Sequence, residues 1–151
     1  MKKVIFFVII LICNIYCFSQ NNTNKKYQVY EDALIQLISI MDSIFPNQDT
    51  LTYFFEKSYG ITDCFPSYVK KHKVKVLNLR EIYAIIQLHP LSVWRMYPLI
   101  IEDKKFKIRI VENSVSKFGN PQGMIWGGGG LLDFVYVYDF YKELFIFEKG
   151  L

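Results

Sequence analysis

The C-terminal half of the chain restricts the fold most, because its apolar residues recur with a period of two. In FKIRIVENSV (106–115) apolar and charged residues alternate, and in DFVYVYDF (133–140) aromatic residues alternate with valines. Such alternation is typical of a half-buried β-strand. Another strand is predicted over 93–101. The sequence therefore predicts a sheet over this half, with one hairpin turn at 102–105 and a second at 141–142.

A glycine-rich segment interrupts this pattern. SKFGNPQGMIWGGGG (116–130) contains Pro121 and ends in four consecutive glycines, which predicts a long loop. A phosphate-binding P-loop needs a GK[ST] sequence between a strand and a helix, whereas these glycines lead into a strand. We therefore expect them to supply positive φ angles or a close approach of the backbone at a loop-to-strand junction.

The N-terminal half of the domain predicts two helices and two strands. From 27 to 45 apolar residues recur at the spacing of one helical face, and Pro46 ends this helix. Strand patterns cover 50–57 and 73–77. Asn78, three residues before a glutamate, has the spacing of a capping box at the start of another helix. The predicted fold is α+β: an N-terminal helix packed on a curved, mostly antiparallel sheet of about five or six strands, with a second short helix.

Residues 1–19 have the pattern of a secretory signal peptide. Two lysines precede an apolar run over 4–12, which is shorter than the roughly 20 residues that a membrane span needs. Cys17 and Ser19 provide small residues for cleavage before Gln20. We expect the mature protein to be exported, to the periplasm or the cell exterior. The alternative is an uncleaved anchor, which would be the chain's contact with the membrane.

The mature chain then consists of a flexible leader (20–26) and a single α+β domain (27–151). Loss of two lysines with the signal lowers the formal charge from +4 to +2. This near-neutral charge argues against a nucleic-acid partner. Cys64 is the one cysteine left after cleavage, so no intramolecular disulfide is expected and the hydrophobic core must stabilise the domain.

No catalytic set, metal site or cofactor motif emerges from residue spacing. Cys64 could act as a nucleophile with His72 or His89 as its base, but a buried apolar role for the cysteine and a solvated basic turn around His72 are favoured. The two histidines and single cysteine have no zinc-site spacing. Acidic residues that could form a carboxylate pair are Asp63, Glu102, Asp133 and Asp139, and no pair stands out.

The feature that most suggests binding is the predicted loop around Trp126. Together with Phe118, Gly127 and Gly128, this tryptophan could form a stacking surface for a ligand, and the alternative is a lid that folds back over the sheet. The favoured function is an exported, non-catalytic domain that binds a protein partner or small ligand through its sheet, its helix cleft or this loop. The alternative is a small exported hydrolase that uses Cys64 or a carboxylate pair.

Overall fold

Two helices lie on opposite faces of one sheet. The computed structural model describes residues 27–103, 105–118, 123–142 and 144–150. The predicted signal peptide (1–19) and leader (20–26) lie outside these residues. Helix α1 covers 27–44 and α2 covers Leu79–Ile86. The strands are β1 (Thr52–Glu56), β2 (Tyr68–Val69), β3 (His72–Leu77), β4 (Leu91–Met96), β5 (Ile100–Glu102), β6 (Lys105–Phe118), β7 (Gly123–Asp139) and β8 (Leu144–Gly150), with a short 3-10 helix at Thr62–Cys64.

The sheet is mixed and has eight strands among the described residues, in the order β2-β3-β1-β4-β6-β7-β8, with β5 also paired to β6. Strand β1 is parallel to β3 and to β4, and the remaining ladders are antiparallel. Parallel neighbours arise because the chain crosses over β1 through α2 between β3 and β4. The α+β class is confirmed, whereas the predicted number of strands is too low. One cause is the predicted strand 93–101, which is divided at Pro98 into β4 and β5.

Helix α1 has the predicted apolar stripe. Its residues Ala33, Leu34, Leu37 and Ile38 are fully buried against the sheet, in the main core with aromatic and aliphatic residues of β1, β4, β6 and β7. The last turn departs from the prediction, since Ile44 is 58% exposed. The flank of α1 next to the buried stripe faces the end of the sheet formed by β7 and β8.

Helix α2 begins as predicted at Asn78. The Asn78 side chain accepts hydrogen bonds from the backbone N–H groups of Arg80 and Glu81, and the Glu81 carboxylate accepts one from the Asn78 N–H. This capping box satisfies N–H groups that have no partner within the helix. The helix buries Ile82 and Ile86 in a second apolar cluster. Phe54 belongs to this cluster and its neighbour Phe55 to the main core, so the two clusters lie on opposite faces of the sheet.

The predicted loop 116–130 is mostly strand, which corrects the sequence analysis; residues 119–122 lie outside the described residues. The glycines form a β-bulge within β7, because Gly129 and Gly130 together face the single residue Glu112 of β6. Among the described glycines only Gly60 has a positive φ, so the predicted positive φ at 127–130 is wrong. The predicted close approach is confirmed at Gly129, where a Cβ would lie 2.5 Å from the Glu112 carbonyl oxygen.

The bulge also reverses which face the side chains of β7 point to. After it, Phe134 and Tyr136 belong to the main core beneath α1. Before it, Trp126 packs with the α2 cluster. One extra residue in a strand has this effect because side chains alternate with a period of two. The bulge therefore lets one long strand contribute aromatic residues to both cores.

Candidate functional site

A half-open pocket of about 310 Å³ lies between α1 and the strands β7 and β8. We call it the α1–β8 pocket. Its polar lining consists of Gln28, Glu31, Asp32 and Tyr136, and its apolar lining of Val29, Ile35, Leu144 and Phe145. None of these lining residues carries a positive charge. A concave, largely apolar site with a few convergent polar groups is the usual form of a small-molecule site.

Helical periodicity places one wall of this pocket. Gln28, Glu31, Asp32 and Ile35 are spaced by three or four residues, so they project from one side of α1. This side lies beside the buried stripe and is only partly covered, since Ile35 is 38% exposed. The wall therefore offers one amide and two carboxylates above an aliphatic side chain.

The opposite wall contains a buried hydroxyl group without a partner. Tyr136 is 1% exposed, and its ring packs edge-on against Phe147 with ring centroids 5.6 Å apart. Among the described residues its Oη atom has no hydrogen bond of ordinary length and angle, and the Asp32 carboxylate is the acceptor near it. Burial raises the pKa of this hydroxyl well above its ordinary value, and the negative charge of Asp32 and the contact with its carboxylate raise the pKa further. The hydroxyl is therefore a neutral donor and acceptor at neutral pH, in a residue that lines the pocket.

Aromatic packing holds the strand side of the pocket in place. The Phe145 ring stands edge-on to Phe106 and to Tyr138, with ring centroids 5.1 Å and 5.0 Å apart. Tyr138 in turn contacts Phe140 at 5.1 Å. Edge-to-face pairs of this kind add to the free energy of ordinary apolar burial. These ring contacts support Phe145 in its place in the lining.

The residues that the sequence nominated for binding lie elsewhere. Trp126, Gly127 and Gly128 are in β7 before the bulge, on the part of the sheet that α2 covers or adjoins. The Arg95 guanidinium lies over the Trp126 ring, 4.8 Å from its centroid, in a cation–π contact. Phe118 is the last residue of β6 and pairs with Gly123. Trp126 therefore has protein neighbours in the α2 cluster and in Arg95, as the alternative interpretation of a folded-back side chain requires.

Cys64 has the surroundings of a structural thiol. Its Sγ lies 3.3 Å from the Ile61 carbonyl oxygen and 3.8 Å from that of Tyr27. Burial raises the pKa of the thiol. A carbonyl oxygen cannot remove the thiol proton, and a nucleophilic cysteine needs a lowered pKa. These contacts do not favour the hydrolase interpretation that rests on Cys64.

His72 is buried rather than solvated, which corrects the predicted basic turn. It is 1% exposed. Its Nδ1 accepts a hydrogen bond of 3.0 Å from the Leu51 N–H, so Nε2 is the donor in the 2.6 Å contact with Asp42. The Asp42 pKa is lowered, mainly by this hydrogen bond and further by Lys70. His72 thus ties the end of α1 to β3, and both ring nitrogens are already used.

The four acidic residues that sequence analysis considered also have structural partners. Asp133 forms two hydrogen bonds of 2.8 Å with Arg109, and Glu102 forms an ion pair with Lys107. Asp63 accepts from the Gly60 N–H, and Asp139 accepts from two N–H groups of the β7–β8 turn. Within the described ranges there is no cluster of three metal-ligating side chains. In the same residues no helix has the length and apolar character to cross a membrane.

Sequence analysis named a helix cleft as one possible binding surface but none of the residues of the α1–β8 pocket, because no local pattern joins the two walls. Asp32 and Tyr136 are distant in the sequence and meet only through the packing of α1 on the sheet. One signal was available: Gln28, Glu31, Asp32 and Ile35 form a mixed polar and apolar face beside the predicted core stripe. Comparison with protein families, curated proteins and solved structures finds no match for this chain.

Proposed function

We propose that the protein is an exported, non-catalytic domain that binds a small ligand in the α1–β8 pocket. The single observation that carries this proposal is the buried hydroxyl of Tyr136, a residue of the pocket lining, which has no hydrogen bond of ordinary geometry among the described residues. Export follows from the signal-peptide pattern of residues 1–19. The signal-peptide pattern predicts a mature chain that begins at Gln20. The mass of the protein recovered outside the cytoplasm tests this prediction.

A buried polar group without a partner is costly. Leaving a donor or acceptor unsatisfied costs about 1–3 kcal/mol, and folded proteins contain few such groups. Where a chain departs from the rules of stable packing, the departure is expected at functional sites. Phenylalanine at position 136 would pack the same ring without leaving a buried polar group that lacks a hydrogen bond of ordinary geometry. We therefore assign the Tyr136 hydroxyl to a ligand.

Two substitutions test this assignment by their opposite effects on stability. Tyr136→Phe should raise the free energy of unfolding by about 1 kcal/mol, because it removes an unsatisfied buried group. Tyr30→Phe is the matched control, since Tyr30 is 2% exposed and its hydroxyl oxygen accepts a 3.0 Å hydrogen bond from the Leu99 N–H. It should lower the free energy of unfolding by about 1–2 kcal/mol. Denaturant unfolding measures both values.

Binding gives the second measurement. A panel of small amines, alcohols, carboxylates and sugars is added to methyl-labelled protein, and shifts of the Ile35 and Leu144 methyl signals report occupancy of the pocket. Compounds that bind should bind more weakly to Tyr136→Phe. If Tyr136→Phe instead destabilises the protein as much as Tyr30→Phe does, the hydroxyl has a partner within the protein and the proposal is wrong.

A further inference from the structure

We propose that the ligand of the α1–β8 pocket is a compact cation, a protonated amine on a small apolar body. This inference rests on the proposed binding function and adds the class of ligand. It is carried by the charges and shapes of the lining residues, which are Asp32, Glu31, Tyr136 and Gln28 on the polar side and Leu144 and Phe145 on the apolar side.

The charge of the lining selects a positive group. Glu31 and Asp32 project from the same side of α1, and the described lining contains no lysine, arginine or histidine. An anion entering this half-open space would face both carboxylates and be repelled by them. A cation would gain from both. The overall charge of the mature chain is slightly positive, so the negative lining is a local property of this site.

The hydrogen-bonding groups fit an ammonium group in particular. An ammonium has three N–H donors and no acceptor. The pocket offers acceptors of three kinds: the carboxylates, the amide oxygen of Gln28 and the unpartnered oxygen of Tyr136. Hydrogen bonds between an ammonium and a carboxylate are about twice as strong as neutral ones. Tyr136 Oη can accept from the ammonium through its lone pairs, and the nearby Asp32 carboxylate is then available to both the ammonium and the Tyr136 proton.

The remaining surface fits an apolar body of limited size. Val29, Ile35, Leu144 and Phe145 form the rest of the lining, and Ile35 and Leu144 are each 38% exposed, which marks the open side. A volume of about 310 Å³ is at the low end of the range of roughly 300–1,000 Å³ for small-molecule sites. This volume favours a single ring or a short branched chain over a polymer or a nucleotide.

Three compounds with the same phenylethyl body and different charges test whether binding depends on charge. They are 2-phenylethylamine, 2-phenylethanol and 3-phenylpropionate. Each is titrated into the methyl-labelled chain, with Ile35 and Leu144 as reporters and Ile82 of the α2 cluster as the distant control. We expect the amine to shift the pocket methyls and to bind at least tenfold more tightly than the alcohol. The carboxylate should bind most weakly.

Substitutions then assign the charge to Asp32. Asp32→Asn should weaken binding of the amine about tenfold or more and leave that of the alcohol unchanged. Asp49→Asn, which removes an exposed carboxylate in the α1–β1 connection, controls for the change in net charge and should change neither. Leu144→Trp, which fills the open side, should abolish binding of all three compounds.

The outcomes separate the two proposals. If the alcohol binds as tightly as the amine, or if Asp32→Asn leaves the amine unaffected while Leu144→Trp blocks it, the pocket is a binding site and the cation inference is overturned. If none of the three compounds shifts the pocket methyls, both are overturned. If the amine binds only after Lys25 and Lys26 are changed to serine, the chain's own leader supplies the cation, and the inference of a separate ligand is overturned.

Discussion

The two ends of β7 differ in how their aromatic residues are used. Before the bulge, Trp126 packs with the α2 cluster, and the Arg95 guanidinium covers its ring at 4.8 Å. Arg95 is held there by an ion pair with Glu56. After the bulge, Tyr136 lines the α1–β8 pocket, and its ring is packed while its buried hydroxyl has no hydrogen bond of ordinary geometry. At the first end of β7 the aromatic side chain has its contacts within the protein. At the second end the tyrosine hydroxyl lacks one.

A search by exposure alone would select a different residue from the one that the proposed function uses. Trp126 is half-buried and lies beside four glycines, so a search for accessible aromatic surface selects it. Tyr136 is 1% exposed, and the same search rejects it. The decisive property is whether each polar atom has a partner, because an unsatisfied buried group lowers stability and folding provides no compensation for it.

The largest expected effect is that of Trp126→Ala. If Trp126 has its contacts within the protein, this substitution removes a packed ring and a cation–π contact. The free energy of unfolding should then fall by about 3 kcal/mol. Binding of 2-phenylethylamine should stay unchanged, because the pocket lies beyond the bulge. Denaturant unfolding and the methyl titration measure the two quantities. Unchanged stability with weakened binding would reverse the comparison and restore Trp126 as the ligand site that the sequence suggested.

Gly129→Ala should have an intermediate effect on the free energy of unfolding. It tests the β-bulge that separates the two ends of β7. Its Cβ would lie 2.5 Å from the Glu112 carbonyl oxygen, and backbone atoms cannot move away cheaply. We expect a loss of about 1–3 kcal/mol in denaturant unfolding. Gly128→Ala is the control, since nothing lies within 4 Å of its Cβ position, and it should change stability by less than about 0.5 kcal/mol. Equal effects of the two changes would show that the close approach at Gly129 is not a constraint.

Local patterns were sufficient to predict several elements of the fold. The α1 stripe follows from residue spacing and Pro46, the start of α2 from Asn78 and Glu81, and the β7–β8 hairpin from strict alternation around its turn. In each case the controlling interactions join residues that are close in the sequence, such as the capping box.

The parts that could not be predicted depend on contacts between distant segments. Four glycines have low strand propensity, yet β6 pairs with them, and the bulge exists because Glu112 faces two residues instead of one. The parallel pairing of β1 depends on the route of the chain over the sheet, which no local pattern encodes. The candidate site is of the same kind, since Asp32 and Tyr136 meet only after α1 has packed.

Asp133→Asn should have the smallest effect and extends the comparison to a charged group of β7. Asp133 is 7% exposed and is bound by both donors of the Arg109 fork, so unlike Tyr136 it is satisfied within the protein. Arg109 lowers the pKa of the Asp133 carboxyl below 3.8. A carboxyl whose pKa is lowered by folding stabilises the protein above its unfolded pKa, and this contribution disappears as the pH falls through the folded pKa. The pair should therefore contribute fully above about pH 5 and progressively less below pH 4.

The measurement is the free energy of unfolding from pH 7 to pH 3 for the wild type and Asp133→Asn. At pH 7 the variant should be less stable by about 1 kcal/mol, a value kept low because the Arg109 side chain is 39% exposed. The difference should shrink toward pH 3. Asp49→Asn, an exposed carboxylate without an ion pair among the described residues, should lie close to the wild type throughout. If the difference in the free energy of unfolding stays constant with pH, Asp133 acts through packing and not through its charge. The ion pair with Arg109 would then no longer distinguish Asp133 from Tyr136.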